Sequence, residues 1–515
     1  MRRLLAITLA CLWIAGCNTA SSTSLNALPA TGLQQPAGAA PDTNVNELPE
    51  APVVRAVHGE AHVTLAVDLN PATGLPGFDY NGMHGVAPTV TVKPGETIVM
   101  DLTDNLPRYF KMASYINIHF HGMGSSPKAP GDDVLGTFAT PGHSLHYVVH
   151  IPRNQGPGLY WYHPHIHGQT NFQAGQAGMS GAIVVEGLAH HIPGLAHMKQ
   201  RVIVVRDTGV GANIVPQDMS QMGVAQPHVV NNNPCGPEIG LTVSLNDAVD
   251  PVITIAPGEQ QFFRVVNATG HKTLKLAVDH ESLELVAIDG FALDTNPKNP
   301  PTETVPYVIV PPAARAEFVV TGPNAGTTLF RTMCYDSGSG GDRDPNLELA
   351  KIEPPHVHRS ERPAAIRPLT AGAALAENAY TMALPAPSAQ RTVVFSEGPT
   401  HFFINGRAFK ITDPPMYVVH TGTTEMWHID NVTTEVHDFH IHQIHFLLEK
   451  VNGVKLAHPY WADSVVIPHR RANGQPGSID ALMDFMDPKI KGMFVFHCHI
   501  LDHEDAGMMA KIEAI

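Results

Sequence analysis

Short runs of alternating hydrophobic and polar residues make up most of the chain from Val53 onward. Clear examples are residues 62–67 (HVTLAV), 89–92 (TVTV) and 97–102 (TIVMDL), with turns that contain glycine or proline between the runs. A hydrophobic period of two is typical of half-buried β-strands, and no long amphipathic helix stands out. The pattern therefore predicts an all-β chain built from Greek-key β-sandwiches.

One arrangement of strand, glycine-containing turn and strand occurs three times. Its copies end at Asn105, Asn267 and Asn431, about 160 residues apart. Repetition at this spacing predicts three related β domains, which we place at residues 53–187, 200–335 and 391–515. Residues 336–390 are predicted to be a linker. This linker and residues 209–240 are longer than ordinary loops, so we expect them to pack over a surface or to gate access.

The N-terminus has the features of an export signal. Arg2 and Arg3 precede an apolar run from Leu4 to Ile14, and Ala15-Gly16-Cys17 follows. This order predicts a lipoprotein-type signal peptide over residues 1–17 because it is similar to the bacterial lipobox; an ordinary cleaved signal is the alternative. We expect a periplasmic or outer-membrane lipoprotein that contacts the membrane only through a lipid on Cys17, with residues 18–52 as a flexible tether. The sequence leaves open whether export uses the Sec or the twin-arginine route.

Composition narrows the class of partner. Charged residues make up 15% of the chain and the formal net charge is -15, which argues against nucleic-acid binding and mildly favours a cationic or neutral small substrate. The 31 histidines nearly equal the 32 lysines and arginines, and histidine is the commonest metal ligand, so the excess indicates metal. An oxidising compartment permits Cys235 to pair with Cys334, but the sequence leaves this pairing open.

Four short motifs each place two histidines two residues apart. Alternate residues of a strand face the same side, so the imidazoles of each pair would share a face. The pairs are His119 and His121, His163 and His165, His440 and His442, and His497 and His499. Because two pairs lie in the first predicted domain and two in the third, a shared metal cluster would lie between those domains. The second domain, which has no such pair, would be a spacer.

The last motif also contains Cys498, which would face the opposite side of its strand from the flanking histidines. One cysteine, two imidazoles and a weak axial thioether form a blue-copper site. The chain offers this set as His437, Cys498, His503 and Met508. One strand would therefore join two metal sites. A structural zinc site usually closes with four ligands and does not explain the additional eight histidines.

The remaining histidines are predicted to lie outside this ligand set. His167 shares a strand face with His163 and His165, and we expect it to lie beside the ligands rather than among them. His445, His356 and His358 are interpreted as ordinary polar residues.

The four motifs resemble the copper-binding signatures of the multicopper oxidases, in the three-domain, laccase-like bacterial branch built from cupredoxin domains. The resemblance covers residues from about 53 to 515 and implies four copper ions. It assigns the type 1 copper to His437, Cys498, His503 and Met508, and the type 2 copper to His119 and His440. It assigns one type 3 copper to His121, His163 and His497, and the other to His165, His442 and His499. Met508 rather than Met509 stands at the family's spacing from the cysteine.

Carboxylates are expected near the cluster because the formation of water consumes protons. By resemblance, Glu504 fits an acid that relays protons towards dioxygen, and Asp132 or its neighbour Asp133 fits a second one. Asp438 stands where many relatives have proline. Three roles stay open for Asp438: it accepts a proton from a phenol, attracts a metal cation, or forms a turn.

The resemblance implies an oxidase that takes single electrons from phenols or aromatic amines at the type 1 copper and reduces dioxygen to water at the three-copper cluster. The alternative within this class is a metallo-oxidase of Cu(I), Fe(II) or Mn(II) in metal tolerance. A non-catalytic copper-binding protein on the same fold is the alternative outside it. The methionines, with only Met219 and Met222 close together in the second domain, do not decide the donor.

Overall fold

The computed structural model describes residues 46–71, 73–108, 114–208, 233–237, 242–296, 299–355 and 384–515. Strands are the main regular structure in these ranges, and the two α-helices have only four and five residues. Within the described ranges, no helix is long and apolar enough to cross a membrane. Cys17, Met219, Met222, His356 and His358 lie outside the described residues.

The first part of the chain forms two five-stranded sheets, with the strand orders β1-β5-β10-β9-β7 and β4-β3-β2-β6-β8. Its core takes side chains from both sheets, including Val63 and Leu65 from one and Val90 and Ile183 from the other. The strands are β1 (Val53–Arg55), β2 (Glu60–Leu69), β3 (Pro76–Tyr80), β4 (Met83–His84), β5 (Thr89–Val92), β6 (Thr97–Asp104), β7 (His119–His121), β8 (Ser144–His150), β9 (Gly158–His163) and β10 (Gly181–Val185). A π-helix (Asn171–Gln176), α1 (Leu188–His191) and a 3-10 helix (Pro193–His197) complete this part.

The second part forms a larger and a smaller sheet around its own core. The larger has the order β12-β11-β14-β20-β16-β17 with β18 paired to β16, and the smaller has β13-β22-β21-β15-β19. The strands are β11 (Lys199–Thr208), β12 (Thr242–Leu245), β13 (Val252–Thr254), β14 (Gln260–Asn267), β15 (Leu274–Val278), β16 (Leu283–Ile288), β17 (Phe291–Ala292), β18 (Glu303–Val305), β19 (Val308–Val310), β20 (Arg315–Thr321), β21 (Thr328–Thr332) and β22 (Leu347–Glu353). A 3-10 helix spans Leu293–Thr295.

The third part again has two sheets, with the orders β24-β23-β26-β31-β28-β29 and β25-β33-β32-β27-β30. The strands are β23 (Ala389–Glu397), β24 (Phe402–Ile404), β25 (Tyr417–Val419), β26 (Thr423–Asn431), β27 (His437–Ile441), β28 (Phe446–Val451), β29 (Val454–Ala462), β30 (Ser464–Ile467), β31 (Gly477–Phe485), β32 (Gly492–Cys498) and β33 (Met509–Ala514). The helix α2 (Leu501–Asp505) and a 3-10 helix (Pro488–Ile490) flank β32.

The predicted repeat has the same topology in all three copies. In each copy the turn carries the chain from one sheet to the other: from β5 to β6, from β13 to β14, and from β25 to β26. The second strand then pairs in parallel with β2, β11 or β23 and antiparallel with β8, β20 or β31. The interpretation of the three phrases as one structural unit therefore agrees with the sheet pairings.

The closing asparagine is buried in two of the three copies. Asn267 Nδ2 donates to the carbonyls of Lys272 and Val310, and Asn431 Nδ2 donates to those of Glu435 and Ile467. In the first copy the equivalent last strand residue is Asp104, whose Oδ1 accepts from the Leu106 amide, and Asn105 after it is exposed. The repeated closing position is thus one residue earlier in that copy than the sequence suggested.

Two segments were predicted to have less structure than they show. Strand β22 lies in the stretch assigned to the linker, where it pairs with β21 and β13. Residues 46–52 of the predicted tether lie against the second core, since Leu48 is buried there and its amide donates to the Val252 carbonyl. Cross-strand pairing with distant residues, which local composition does not encode, orders both segments.

Candidate metal centre

The histidine motifs lie at the ends of neighbouring strands in the first and third parts. Strands β7 and β9 are antiparallel with His119 opposite His163. Strands β27 and β32 are antiparallel with His440 opposite His497. Each outer part therefore presents two adjacent motifs at one place, because sheet register aligns residues that are far apart in sequence.

The eight paired histidines come together in one buried cluster, as the motif spacing predicted. The ring of His119 stacks on that of His442 with centroids 3.7 Å apart, and His121 stacks on His440 at 3.8 Å. Both stacks join a residue of the first part to one of the third. All eight side chains are buried, so the cluster lies where these two parts meet.

Several trios of candidate ligand atoms in the described residues lie within 4.8 Å of one another, and these include three that consist of cluster histidines. These three are His119, His121 and His440; His121, His163 and His499; and His165, His442 and His497. The prediction that His497 joins His121 and His163 was wrong, because His499 takes that place and His497 joins His165 and His442. Strand alternation places both histidines on one face and does not decide which trio each of them joins.

Three of the eight imidazoles have the hydrogen-bonding arrangement that a metal ligand needs. The Nδ1 atoms of His119, His163 and His440 lie 2.8–2.9 Å from Asp132 Oδ2 and from the carbonyls of Pro164 and Asp463. Among the described residues, the Nε2 atoms of these three histidines and of His121 have no hydrogen-bond partner. An outward Nδ1–H and an inward bare Nε2 are the arrangement of a metal-binding imidazole.

Electrostatics favour neutral rings at this cluster. Burial first, and then the neighbouring imidazoles, hold each pKa well below its ordinary value for His119, His121, His163, His165, His442, His497 and His499. A neutral imidazole is the form that binds metal. The donor set therefore fits several metal ions of the type that imidazole prefers, among them copper.

A second, smaller group surrounds Cys498. Its Sγ lies 3.7 Å from the Nδ1 atoms of both His437 and His503, and these two nitrogens are 3.1 Å apart. Met508 is fully buried in the same core as Cys498, whereas Met509 packs in a separate cluster with Phe409 and Val495. The structure therefore brings together His437, Cys498 and His503, and it buries Met508 in the core that contains Cys498 and Met509 in a different one.

The Cys498 side chain is buried away from solvent. Burial raises the pKa of the Cys498 thiol well above its usual value, so the thiolate needs a cation beside it. The Asp438 amide donates a hydrogen bond of 3.4 Å to Sγ. Phe402 stacks on the His503 ring at 4.0 Å. Such hydrogen bonding and apolar packing around a cysteine sulfur tune the redox potential of a blue-copper site.

Glu504 lies beside the histidine cluster. Its carboxylate oxygens are 3.5 Å from His165 Nε2 and 3.3 Å from His497 Nδ1, and Thr170 Oγ1 donates to Oε1 at 2.9 Å. Burial and the adjacent Asp505 hold the pKa of Glu504 well above its ordinary value. A buried, protonated carboxyl group at this position can hold or release a proton next to the cluster.

Asp132, rather than Asp133, is the acid at the other side of the cluster. Asp132 Oδ2 lies 2.9 Å from His119 Nδ1 and accepts from Gln443 Nε2 at 2.6 Å. Burial raises the pKa of Asp132 to about 8, against hydrogen bonds that lower it. Asp133 instead accepts from the Gly136 amide and the Thr137 hydroxyl within its own loop.

Asp438 lies inside strand β27, so the alternative that it forms a turn was wrong. Its side chain is 1% exposed, and neither carboxyl oxygen has a hydrogen-bond partner within the described ranges. Burial, together with Asp289 and Asp463, raises its pKa well above the ordinary value. The structure therefore buries Asp438 near Asp289 and Asp463 rather than on an exposed surface.

Three residues of this site were not predicted from the sequence. Arg315 and Asp463 form a buried ion pair next to the cluster, with Arg315 Nη2 2.6 Å from Asp463 Oδ2. His445, interpreted as an ordinary polar residue, is buried with Nε2 3.2 Å from Asp463 Oδ2.

His167 packs edge-on against Phe409 at 4.7 Å, beside the ligands as expected. The sequence left open whether Cys235 pairs with Cys334, and in the structure these two cysteines form a disulfide.

Comparisons with known proteins agree with this geometry. Two family models described as multicopper oxidase match residues 69–190 and 383–514, the two segments that carry the histidine motifs. The chain is 24% identical to "Multicopper oxidase mco" of Staphylococcus aureus over 445 residues, which covers 84% of this chain and 83% of that protein. It is 23% identical to the laccase of Bacillus subtilis over 495 residues, which covers 86% and 90%.

Solved structures show the same fold. A multicopper oxidase from Campylobacter jejuni, described as a metallo-oxidase, has a TM-score of 0.67 at 21% identity and covers 92% of this chain and 98% of its own. A laccase-like multicopper oxidase from Ochrobactrum sp. has a TM-score of 0.66 at 21% identity and covers 91% and 100%. The predicted all-β, cupredoxin-like fold class is confirmed.

Proposed function

Because this chain belongs to the multicopper oxidase family, and is thus a copper-binding oxidoreductase that uses oxygen, we propose that it oxidises phenols or aromatic amines one electron at a time and reduces dioxygen to water. One observation supports this most strongly. Cys498 lies 3.7 Å from His437 and His503 on one side, while its chain neighbours His497 and His499 enter the eight-histidine cluster on the other.

We assign the copper ions by these groups. His437, Cys498, His503 and Met508 would hold a type 1 copper, and His119 and His440 a type 2 copper. His121, His163 and His499 would hold one type 3 copper, and His165, His442 and His497 the other. The first site would accept electrons one at a time, and the four bound coppers together would supply the four electrons that the reduction of dioxygen to water consumes.

The chain itself provides the path between these sites. Cys498 is bonded through the backbone to His497 and His499, so an electron leaves the sulfur through covalent bonds only. A hydrogen bond also joins the backbone on the two sides, since the His499 amide donates to the Asp438 carbonyl at 2.8 Å. This backbone holds the separation of the two sites constant, which suits repeated single-electron steps.

Two acids would handle protons. Glu504 would deliver a proton to dioxygen, because its carboxyl lies within 3.5 Å of His165 and His497 and is hydrogen-bonded only to Thr170 Oγ1 in the described contacts. Asp132 would hold the proton on His119 Nδ1 and so keep Nε2 free for the type 2 copper.

Asp438 remains a proposed proton acceptor for a phenol, although its side chain is buried. The Asp438→Asn variant separates this role from the hydrogen bond of the backbone amide to Cys498, which the substitution keeps. We expect slower phenol oxidation with an unchanged blue band, and equal phenol turnover in the variant would argue against the role.

A metallo-oxidase is the second candidate, and one contact favours it. Glu435 Oε1 lies 3.8 Å from His503 Nε2, and Glu397, Asp342 and Asp502 are near enough to raise the pKa of Glu435 after burial has done so. Carboxylates beside the type 1 ligand would attract Cu(I), Fe(II) or Mn(II). A role in metal tolerance would follow from this activity.

Export as a lipid-anchored periplasmic or outer-membrane protein also remains our proposal. It is supported by the signal-like residues 1–17 and by the disulfide between Cys235 and Cys334, which suits an oxidising compartment. Labelling with a palmitate analogue, compared between the natural chain and Cys17→Ala, tests the anchor.

Copper-loaded protein tests the proposed function directly. We expect a blue absorption band and oxygen uptake with a phenol, and loss of both in Cys498→Ser, which keeps all eight cluster histidines. A colourless protein without oxygen uptake would contradict the proposal. Turnover with a phenol, Cu(I), Fe(II) and Mn(II) then ranks the donors. If Glu435→Gln slows only the metal ions, and these are the faster donors, the second candidate replaces the first.

A further inference from the structure

The second part of the chain, predicted to be a spacer, reaches the histidine cluster through one residue. Arg315 begins strand β20 and is completely buried. Its Nε donates to the Leu159 carbonyl of the first part at 3.2 Å. Its two terminal nitrogens donate to both carboxylate oxygens of Asp463 in the third part, at 2.7 and 2.6 Å. One side chain therefore contacts all three parts.

The Arg315–Asp463 pair lies directly behind two cluster histidines. Arg315 Nη1 is 3.3 Å and Asp463 Oδ1 is 3.5 Å from His121 Nδ1. The Asp463 carbonyl lies 2.8 Å from His440 Nδ1. These are the two rings that stack at 3.8 Å across the boundary of the first and third parts. The Arg315–Asp463 pair therefore lies next to Nδ1 of both rings.

Arg315 fixes the position of Asp463. Arg315 Nη1 donates to Asp463 Oδ1 and Arg315 Nη2 donates to Asp463 Oδ2, and a planar, two-pronged pair of this kind sets the orientation of a carboxylate. Arg315 Nη1 also lies 3.3 Å from His121 Nδ1, and the Asp463 carbonyl contacts His440 Nδ1. The placement of both rings therefore depends on the guanidinium.

The surrounding backbone makes room for this pair. Gly122, next to His121, has φ +82°, and a Cβ there would lie 2.6 Å from Arg315 Nη2 and 2.7 Å from Asp463 Oδ2. Asp289 holds the backbone of both residues of the pair. Its carboxylate accepts from the Arg315 amide at 2.8 Å and from the Asp463 and Ser464 amides at 3.1 Å. Backbone and side chain thus both set the position of the guanidinium.

We propose that Arg315 is a positioning residue for the three-copper cluster: through its two hydrogen bonds to Asp463 and its contact with His121, it holds the His121 and His440 rings in place for the metal. The inference rests on the proposed function, since it concerns copper at that cluster. It gives the second part of the chain a role in the site itself.

Arg315→Met tests the inference, with Arg264→Met as the matched control. Arg264 is also buried, lies in the same sheet and pairs with Glu317, which accepts from the Leu159 amide of the first part. Both substitutions remove a buried arginine that links the second part to the first. Only Arg315 contacts a cluster histidine in the described contacts.

Copper content and electron paramagnetic resonance of the loaded variants are the measurements. For Arg315→Met we expect an unchanged blue band, an altered type 2 spectrum, and retention of that copper weakened about 10- to 100-fold, the usual effect of removing a partner behind a metal ligand. Arg315→Lys keeps the charge without the planar fork and should recover part of the loss. Arg264→Met should keep the natural spectrum.

One result would overturn the inference: Arg315→Met has the spectra of the natural chain and loses as much thermal stability as Arg264→Met. Arg315 would then only stabilise the contact between the parts of the chain. If Arg315→Met does not fold, Arg315→Lys and Asp463→Asn carry the test: an altered type 2 spectrum in both supports the inference, and natural spectra in both overturn it. Failure of the proposed function is distinct, because the natural chain would then bind no type 1 or type 2 copper.

Discussion

Gly122 offers a sharp test of how tightly the cluster is enclosed. Its φ of +82° is a left-handed conformation, which costs a residue with a Cβ about 1–2 kcal/mol. In Gly122→Ala the new Cβ would also lie 2.6–2.8 Å from Arg315 Nη2, Asp463 Oδ2 and Tyr160 Cδ1. Forcing a methyl group into a packed site costs about 1–3 kcal/mol more.

Gly142→Ala is the matched control. Gly142 has φ +85° and nothing within 4 Å of a Cβ, so this variant bears only the conformational cost. The difference between the two variants isolates the steric cost at the cluster. Each kcal/mol lowers the melting temperature by about 2–4 °C in a domain of 150–250 residues, so Gly122→Ala should melt about 2–12 °C below Gly142→Ala.

Thermal unfolding of the copper-free variants, followed by circular dichroism at one scan rate, measures this difference. The same samples, loaded with copper, should show weaker retention of type 2 copper in Gly122→Ala alone, because its clash falls on the Arg315–Asp463 pair. If the two variants melt together, the site has more room than the structure shows, and the reasoning about close approach fails.

Three further predictions concern other residues. Glu504→Gln should keep the blue band but slow oxygen reduction, measured as oxygen uptake with excess donor; unchanged turnover would remove Glu504 from the proton path. Asp132→Asn should weaken copper at His119 about 10- to 100-fold, measured by competition with a chelator, while the type 1 signal stays. For His271, burial lowers the pKa, but Asp207, Asp342, Asp502 and Asp344 together raise it to about 9. A pKa raised above the unfolded value of about 6.5 gives stability that is complete below that pH and lost as the pH rises through 9, on the order of 3 kcal/mol. The melting temperature of the natural chain should therefore exceed that of His271→Gln at pH 6 by more than at pH 10, and a pH-independent difference would contradict this.

The residues that alternate along strands could be predicted from the sequence. His119 and His121 both point into the cluster because β7 is a regular strand, and Cys498 faces away from His497 for the same reason. The partition of the type 3 ligands could not be read in this way. Alternation places His497 and His499 on the same face, so it does not say which trio each imidazole joins; the packing of the first part against the third does.

Contacts between distant residues account for most of what the sequence did not reveal. Arg315 and Asp463 are 148 residues apart, and neither lies in a motif. A chain segment without histidine pairs was therefore interpreted as a spacer, although it supplies the cation beside the cluster. One signal was present: Gly122 directly follows His121, and a glycine at that place is consistent with a close approach by another group.

Asp438 and His445 illustrate a related limit. Both are polar residues near motif histidines, and composition favours an exposed position for such residues. The structure buries both, and Phe291 of the second part packs against the His445 ring at 4.4 Å. Burial changes their chemistry, since it raises the pKa of the Asp438 carboxyl and lowers the pKa of the His445 imidazole.

Copper stoichiometry tests the central claim most directly. The loaded chain is analysed for total copper and, in parallel, by electron paramagnetic resonance for type 1 and type 2 signals. The account predicts about four coppers per chain, with one signal of each type and the remainder silent as a coupled pair. A total of about one copper, with a type 1 signal alone, would show that the eight histidines do not form a copper cluster and would contradict the account.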